Sequence, residues 1–398
     1  MTGLQTLLPI VVRYLGLVSL TTLVGGFAFV CLILPPGLLS HEGYQILERH
    51  LRRVQAGSIL IVAVTSVADL ILRTLAMSGG SLATLGLTLP MVLRHTHFGT
   101  VWIIRTLLLG LLGMAWWLRL LGTTAPSRFA WIAGISRVGL LSMTWWLRLL
   151  GTTASPLFAW VSFVSACFVA LTTTLSGHSA DWGDMSVPAL IDWLHLLAVS
   201  IWIGGLFTFG FLLKRSLAMA GMEEMAHALS SIARLFSKIA TGCVVIFLLT
   251  GLYSTWLQVG VLSFVVASAY GWTLLVKLSL VALILLIAAV NRFYFLTQLR
   301  PSAIKHGQPV FGTVRHVGSS AQAVNEAGDD RRIRYRFSWF VRLEWIIVMI
   351  VLVCSALLTQ LPPARHVHHI EHLKSSEHNG GHPSTHHTPT AMPPSMQR

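Results

Sequence analysis

The sequence predicts an all-α fold, a polytopic transmembrane bundle of about eight helices. Of the 398 residues, 54% are hydrophobic and only 11% are charged, whereas a soluble domain carries about a quarter charged residues. Apolar runs of about 20 residues recur along the chain, and each is long enough to cross a hydrocarbon core of about 30 Å as a helix. These runs do not alternate polar and apolar residues, which argues against a membrane β-barrel.

The predicted spans follow from the apolar runs in chain order: 9–33, 55–76, 99–120, 157–175, 189–212, 238–258, 271–297 and 338–360. Lys and Arg cluster after the first, fifth and seventh spans, whereas the segments 176–188 and 259–270 contain neither residue. Because basic residues concentrate on the cytoplasmic side, this alternation predicts that both termini lie outside. The net charge of +14 then faces anionic lipid from the inner loops and requires no nucleic-acid partner.

A tandem duplication lies within residues 114–171, where the segment 116–125 recurs at 145–154. The apolar stretch that it introduces, 129–150, contains Arg137, and a span there would place the later basic loops outside. We therefore predict that this stretch lies in the inner membrane interface. A ninth span and a re-entrant pair are the alternatives.

Two further segments are predicted on the inner side, an amphipathic surface helix over 213–237 and a flexible polar loop over 301–333. The cysteines lie singly in apolar segments, at Cys31, Cys167, Cys243 and Cys354. That placement predicts small core residues rather than a metal site.

Asp192 and His195 form an ionisable pair inside the fifth predicted span. They are three residues apart, so their side chains lie on one face of the helix. Ionisable groups inside a bilayer are costly and usually functional, so we expect function at this pair. The alternative for the histidine is a hydrogen-bonded core residue.

Other side chains that bind metals are predicted on the same outer side of the bundle: His178, His95, His97 and Met185. Imidazole nitrogen suits copper or zinc, and thioether sulfur favours Cu(I). Together with His195, these residues predict a metal site in which Asp192 accepts the second ring N–H of a ligating histidine. For each outer histidine alone, a hydrogen-bonded interface residue is the alternative.

Charged residues also fall in the outer halves of other predicted spans: Asp69, Arg73, Arg105 and Lys277. We expect Asp69 or Asp192 to neutralise Arg105 or Lys277 across helices. Such pairs are predicted to be structural, because a buried charge requires a partner.

Residues 364–398 form a Pro-, Ser-, Thr- and His-rich tail that is too poor in apolar residues to fold, and we predict that it is disordered and periplasmic. Many of the histidines of the chain lie there: His366, His368, His369, His372, His378, His382, His386 and His387. His-rich tracts bind Cu(II), Ni(II) or Zn(II). A low-complexity tail without a role is the alternative.

A series of short motifs runs in order through the second half of the chain. They are Ser176-Gly177-His178, Asp192-Trp193-Leu194-His195, Trp202-Ile203-Gly204-Gly205-Leu206, Arg234-Leu235-Phe236-Ser237-Lys238, Thr250-Gly251, Tyr270-Gly271-Trp272-Thr273-Leu274-Leu275-Val276-Lys277, Asn291-Arg292-Phe293 and Leu361-Pro362-Pro363. In order and spacing they resemble the CopD family of bacterial copper-resistance membrane proteins, best over 176–363 and more weakly over 1–110. The resemblance implies that 1–363 form one CopD-like domain of eight helices in the inner membrane.

The resemblance also implies a function in copper homeostasis, with the copper ion moved from the periplasm inward. A periplasmic copper carrier of the CopC type is an implied partner, and we hypothesise that the His-rich tail collects copper outside. Two alternatives stay open, a haem-binding or redox membrane protein and a copper-binding sensor or assembly factor that does not transport. The sequence contains no nucleophile–base pair, phosphate loop or zincin motif, so we do not expect an enzyme.

Overall fold

A computed structural model of the chain describes residues 3–34, 41–79, 83–124, 154–177, 183, 186–213, 222–259, 268–290, 339 and 343–361. Within these ranges the α-helices are α1 Gly3–Ala28, α2 His41–Met77, α3 Leu85–His95, α4 His97–Thr124, α5 Ala154–Thr174, α6 Val187–Phe207, α7 Met222–Val259, α8 Ala269–Val290 and α9 Leu343–Leu358. The predicted segments 129–150, 301–333 and 364–398 lie outside the described residues. The interfacial, loop and tail predictions made for them therefore stay predictions.

The predicted all-α bundle of several membrane spans is confirmed. Helices long and apolar enough to cross a membrane contain the segments Leu7–Ile33, Ile46–Met77, His97–Leu118, Leu157–Thr174, Val187–Phe211, Ser231–Leu257 and Ala269–Val290. They correspond in order to the first seven predicted spans. The shorter apolar helix α9 lies inside the eighth.

Two helices differ from the sequence-based expectation because they extend beyond their predicted spans. The segment 213–237 was predicted as a separate surface helix, but its residues from Met222 onward belong to α7, which runs unbroken for 38 residues. No Gly or Pro lies between Met222 and Lys238, so no residue there interrupts the backbone hydrogen bonds. Likewise Arg49, Arg52 and Arg53 lie on α2, a helix of 37 residues, rather than in a loop.

The centre of the bundle is a close crossing of α1 and α6. A Cβ atom on Gly25 would collide with the backbone of Gly204 and with the carbonyl oxygen of Ser200. A Cβ atom on Gly204 would collide with Gly25 and with the carbonyl oxygen of Thr21. Small residues let transmembrane helices approach this closely, so both glycines are required by packing.

A π-helical turn follows the crossing in each helix, at Phe29–Ile33 after α1 and at Thr208–Leu213 after α6. The aromatic side chains Phe29 and Phe209 on these turns are buried. Such turns occur mostly as local insertions in α-helices and often accompany function. The sequence-based prediction did not include them.

The other helices pack around this crossing in two groups. One apolar cluster lies mainly between α1, α2, α4 and α5, and another lies mainly between α6, α7, α8 and α9. In the α1 span 61% of the most apolar window is buried, compared with 17% in the α8 span. The central helices therefore pack against protein, whereas most of α8 faces outward and has the apolar surface expected for contact with lipid.

Candidate functional site

His195 is positioned by the start of α6. Ser186 precedes the helix, and its side chain accepts a hydrogen bond from the N–H of Ala189. Pro188 lies in the first turn, where its missing N–H costs nothing. His195 follows the first helical residue, Val187, by eight positions, or about 12 Å at 1.5 Å per residue. The imidazole therefore lies within the N-terminal half of α6.

The ring of His195 is hydrogen-bonded to α7. Its Nδ1 atom lies 2.9 Å from Oγ1 of Thr250, and Thr250 Oγ1 donates to the carbonyl oxygen of Ile246 at 2.6 Å. A hydroxyl has one proton and a carbonyl can only accept. We therefore assign the ring proton of His195 to Nδ1, which then donates to Thr250. The neutral ring then has its lone pair on Nε2, the form that binds metal.

Aromatic and small residues hold the ring against α7. The ring centroids of His195 and Phe247 are 4.9 Å apart, and those of Phe247 and Trp202 are 6.0 Å apart. A Cβ atom on Gly251 would lie 3.1 Å from Cε1 of His195. Gly251 thus leaves the space in which the ring rests against the helix.

Asp192 also faces α7, and its hydrogen bond is to that helix rather than to His195. Its Oδ1 accepts a hydrogen bond of 2.7 Å from the hydroxyl of Ser254, one helical turn after Thr250. In His195 the Nδ1 atom is instead hydrogen-bonded to Thr250, and the role of Asp192 behind a ligating histidine stays a prediction. Both side chains point from one face of α6 to the neighbouring helix rather than to each other.

A positive charge is close to this pair. Lys277 on α8 interacts electrostatically with Asp192 and with His195. Asp192 therefore has a hydrogen bond from the Ser254 hydroxyl and an electrostatic interaction with the basic side chain of Lys277. The predicted balancing of Lys277 by Asp192 is present as an electrostatic interaction across helices.

The predicted outer ligands are divided between two places. His97 begins α4, and its Nε2 lies 3.3 Å from the carbonyl oxygen of Leu175 at the end of α5. His95 ends α3 and is exposed. His178 and Met185 lie outside the described residues, as do the histidines of the tail. The described part of the chain contains no group of three or more His, Cys, Asp or Glu that could hold a metal.

The charges on the other side of the bundle are arranged differently from the prediction. Asp69 pairs with Arg73 on its own helix, at 3.2 Å between Oδ1 and Nε. Arg73 also donates to the carbonyl oxygen of Ser176 at 3.0 Å. Arg105 is 4% exposed and donates to Oγ1 and the carbonyl oxygen of Thr172, at 3.1 and 2.6 Å, and to the Ser176 hydroxyl at 2.8 Å. Arg105 thus binds the C-terminal end of α5, where the helix dipole favours a cation, and interacts with Asp69 across helices electrostatically, without a contact ion pair among the described residues.

Thr250 and Ser254 were not predicted as site residues. The available signal was their spacing of four residues in a strongly apolar run, which places two hydroxyls on one face of α7. That pattern alone does not show which neighbouring helix it faces.

Two family models match the chain. The model for copper resistance protein D matches residues 230–358, and the model for the copper resistance protein D-like N-terminal domain matches residues 4–147. The chain belongs to the CopD family. The predicted resemblance is thereby confirmed, and the family is one of copper resistance.

A curated relative of this CopD protein is the copper transport protein CutJ of Bacillus subtilis (strain 168). The two chains are 24% identical over 324 residues, which cover 79% of this chain and 47% of CutJ. The chain therefore spans about half the length of the relative it matches. No solved structure matches the chain.

Proposed function

We propose that this CopD protein carries copper ions across the cytoplasmic membrane from the periplasmic side inward. The observation that carries the proposal is the His195 ring in a membrane-spanning helix, held by a hydrogen bond between Nδ1 and Thr250 that leaves Nε2 for a metal. The family and the name of the relative support copper as the cargo. The inward direction is the one that the resemblance to the CopD family implies, and both termini are proposed to lie in the periplasm.

The contacts of His195 suit a weak, transferable metal ligand. Imidazole is a good ligand for copper. The Thr250 hydroxyl fixes which ring nitrogen is free, as the partners behind metal-bound histidines usually do. The carboxylate of Asp192 lowers the cost of bringing a cation into a medium of low dielectric constant. Copper would thus be bound at His195 and stabilised by Asp192.

The remaining ligands are proposed from the sequence. His178 and Met185 follow α5 in the chain, next to the turn that His97 contacts, and would complete the coordination of copper with His195. His95 and His97 would capture the ion at the outer surface. A CopC-type carrier is a proposed periplasmic partner. We expect no enzymatic step, since passage of an ion requires none.

Copper uptake into proteoliposomes tests the proposal. We expect His195→Ala to reduce the initial rate at least tenfold, because it removes the intramembrane ligand. The matched control is His50→Ala, since His50 also lies on a span helix but its Nδ1 bonds to the carbonyl oxygen of Ile46 on the same helix, at 2.9 Å. Equal rates for His195→Ala and wild type would exclude the proposed site.

The proposed role of the tail is tested separately by deleting residues 364–398. At limiting copper the truncated chain should accumulate less metal, because the tail imidazoles would no longer raise the local copper concentration. At saturating copper it should equal the full chain. Unchanged accumulation at limiting copper would contradict the role as a collector.

A further inference from the structure

The first and second halves of the bundle share a sequence pattern that the tandem repeat at 116–154 does not explain. In α1 the run Val24-Gly25-Gly26-Phe27 precedes a π-helical turn, and in α6 the run Ile203-Gly204-Gly205-Leu206 precedes another. The helices that follow, α2 and α7, contain 37 and 38 residues. The order of unusual features is therefore the same in both halves.

A second pair of motifs continues the correspondence. Phe98-Gly99 in α4 is followed by Arg105, and Tyr270-Gly271 in α8 is followed at the same distance by Lys277. The N–H of Gly99 donates to the Thr96 hydroxyl, and the N–H of Gly271 donates to the Ser268 hydroxyl, each at 3.0 Å. The two helices thus begin with the same hydrogen bond and carry a basic residue at the same position.

The contacts between the halves are reciprocal. Gly25 lies against the carbonyl oxygen of Ser200, and Gly204 lies against the carbonyl oxygen of Thr21. Thr21 and Ser200 each precede their glycine by four residues. When residue i of one unit contacts residue j of the other and j contacts i, the units are related by a twofold axis. The crossing of α1 and α6 therefore lies on a pseudo-twofold axis.

Threonines at corresponding places in α2 and α7 make the same internal bonds. Thr65 Oγ1 donates to the carbonyl oxygen of Ile61 at 2.8 Å, and Thr250 Oγ1 donates to that of Ile246 at 2.6 Å. The residue that faces Thr250 is His195, and the residue that faces Thr65 is Gly16, where a Cβ atom would lie 3.3 Å from Thr65 Oγ1. His195 and Gly16 lie the same number of residues before Gly204 and Gly25, respectively. The two hydroxyls therefore face equivalent positions.

The charges at the equivalent positions are opposite. Arg13 in α1 corresponds to Asp192 in α6, because the two lie the same number of residues before Gly25 and Gly204. Arg13 interacts electrostatically with Asp69 and Arg73, and Arg105 interacts with all three of them. Three arginines against one aspartate give this first-half cluster a net charge of +2.

Two atoms of the first-half cluster lack partners. Nε of Arg13 and Oδ2 of Asp69 are buried and have no hydrogen-bond partner among the described residues. One is a donor and the other an acceptor. Excess positive charge inside a membrane requires a counter-charge, so a ligand here needs negative charge, acceptor atoms for Arg13 and a donor for Asp69.

We infer that the first half holds an anion site at Arg13 and Asp69, equivalent to the cation site at Asp192 and His195, and that it binds a phosphate group accompanied by a hydroxyl. The phosphate oxygens accept from the guanidinium of Arg13, which is well suited to phosphate. The hydroxyl donates to Oδ2 of Asp69. Hydrogen phosphate from the periplasm and the headgroup of phosphatidylglycerol both have this chemistry. The inference does not depend on copper.

The unfolding midpoint of the full chain in nanodiscs tests the site. The reference is phosphatidylcholine in chloride. One arm replaces chloride by inorganic phosphate at equal ionic strength, and the other adds phosphatidylglycerol without phosphate. We expect the wild-type midpoint to rise by a few degrees in at least one arm, since a ligand that binds only the folded state stabilises it. A rise in the phosphate arm identifies free phosphate as a ligand, and a rise in the lipid arm identifies the headgroup.

Variants separate this site from a general effect of anions. Arg13→Gln should raise the midpoint in the reference condition, because it removes an uncompensated charge, and should abolish the rise in both arms. Arg13→Lys should keep part of the rise. Arg234→Gln is the matched control, since Arg234 is exposed and bonds only weakly to Ser231 on its own helix, at 3.2 Å. A wild type insensitive to both arms, or an Arg13→Gln variant that keeps the full rise, would overturn the inference.

Discussion

The region around Asp69 in the first half and the region around Asp192 in the second half differ in their buried charges. Around Asp69 the first half places three arginines. Arg73 donates to Asp69 and to the carbonyl oxygen of Ser176, and Arg105 donates to Thr172 on α5. The equivalent part of the second half contains Asp192, a neutral imidazole and Lys277. The same helix arrangement thus holds excess positive charge in one half, whereas in the other Asp192 and Lys277 balance each other beside an imidazole that can bind metal.

The hydroxyl partners show how the difference arises. Thr65 and Thr250 have the same bond to their own helix, but only Thr250 faces a side chain that can bind metal. Gly16 leaves the corresponding space of the first half without a side chain. A cation path through this chain is therefore expected along α6 and α7 rather than along α1 and α2.

The largest effect should come from giving the second half the charge of the first. Asp192→Lys places a cation next to His195, and two unit charges about 4 Å apart repel by about 4 kcal/mol at an effective dielectric constant of ~20. Copper uptake should fall by two to three orders of magnitude in proteoliposomes. The neutral variant Asp192→Asn should lose less of the copper uptake. If Asp192→Lys transported within twofold of wild type, the cation path would not pass Asp192.

The next effect concerns stability in the first half. Arg105→Met removes the hydrogen bonds to Thr172 and Ser176, and hydrogen bonds from charged groups contribute about 1.5–3 kcal/mol each. We expect the free energy of unfolding to decrease by about 3 kcal/mol, measured by denaturant titration in detergent. Arg105→Lys should recover part of the lost free energy of unfolding. A neutral effect of Arg105→Met would mean that the end of α5 does not depend on this side chain.

A smaller effect, on copper affinity, is expected for Thr250 but not for Thr65. Thr250→Val keeps the shape of the side chain but removes the acceptor for Nδ1 of His195, and loss of such a partner typically costs 10–100-fold in metal affinity. We expect about a thirtyfold weaker copper affinity, measured by competition with a chelator. Thr65→Val is the matched control and should change affinity by less than twofold. Equal losses in both variants would remove the distinction between the halves.

The smallest effect is predicted for Gly251. The Cβ atom of Gly251→Ala would lie 3.1 Å from Cε1 of His195, so the ring must shift by a few tenths of an ångström. Copper affinity should drop a few-fold while the unfolding midpoint changes little. Gly242→Ala, at a site with open space on the same helix, should leave both quantities unchanged. An unaffected Gly251→Ala variant would show that the site tolerates a displaced ring.

The sequence predicted the spans well because each apolar run has the length that a bilayer requires. It also predicted a role for Asp192 and His195, since ionisable residues are conspicuous in an apolar helix, and that role stays a prediction. It did not predict that α7 runs unbroken from Met222, because charged surface turns and an apolar span look like separate elements when read by composition. Nor did it predict the contacts of Thr250, since these depend on how α6 packs against α7, where Gly205 lies against Phe236 and Gly251 against His195, rather than on any local pattern.

The central claim is that His195 binds copper through Nε2 inside the membrane. X-ray absorption at the copper edge tests it most directly, on wild type and His195→Ala that both lack residues 364–398, so that tail histidines do not contribute. The spectrum of the wild type should contain an imidazole nitrogen shell that is reduced in His195→Ala and retained in His50→Ala. Identical copper spectra for wild type and His195→Ala would contradict the claim.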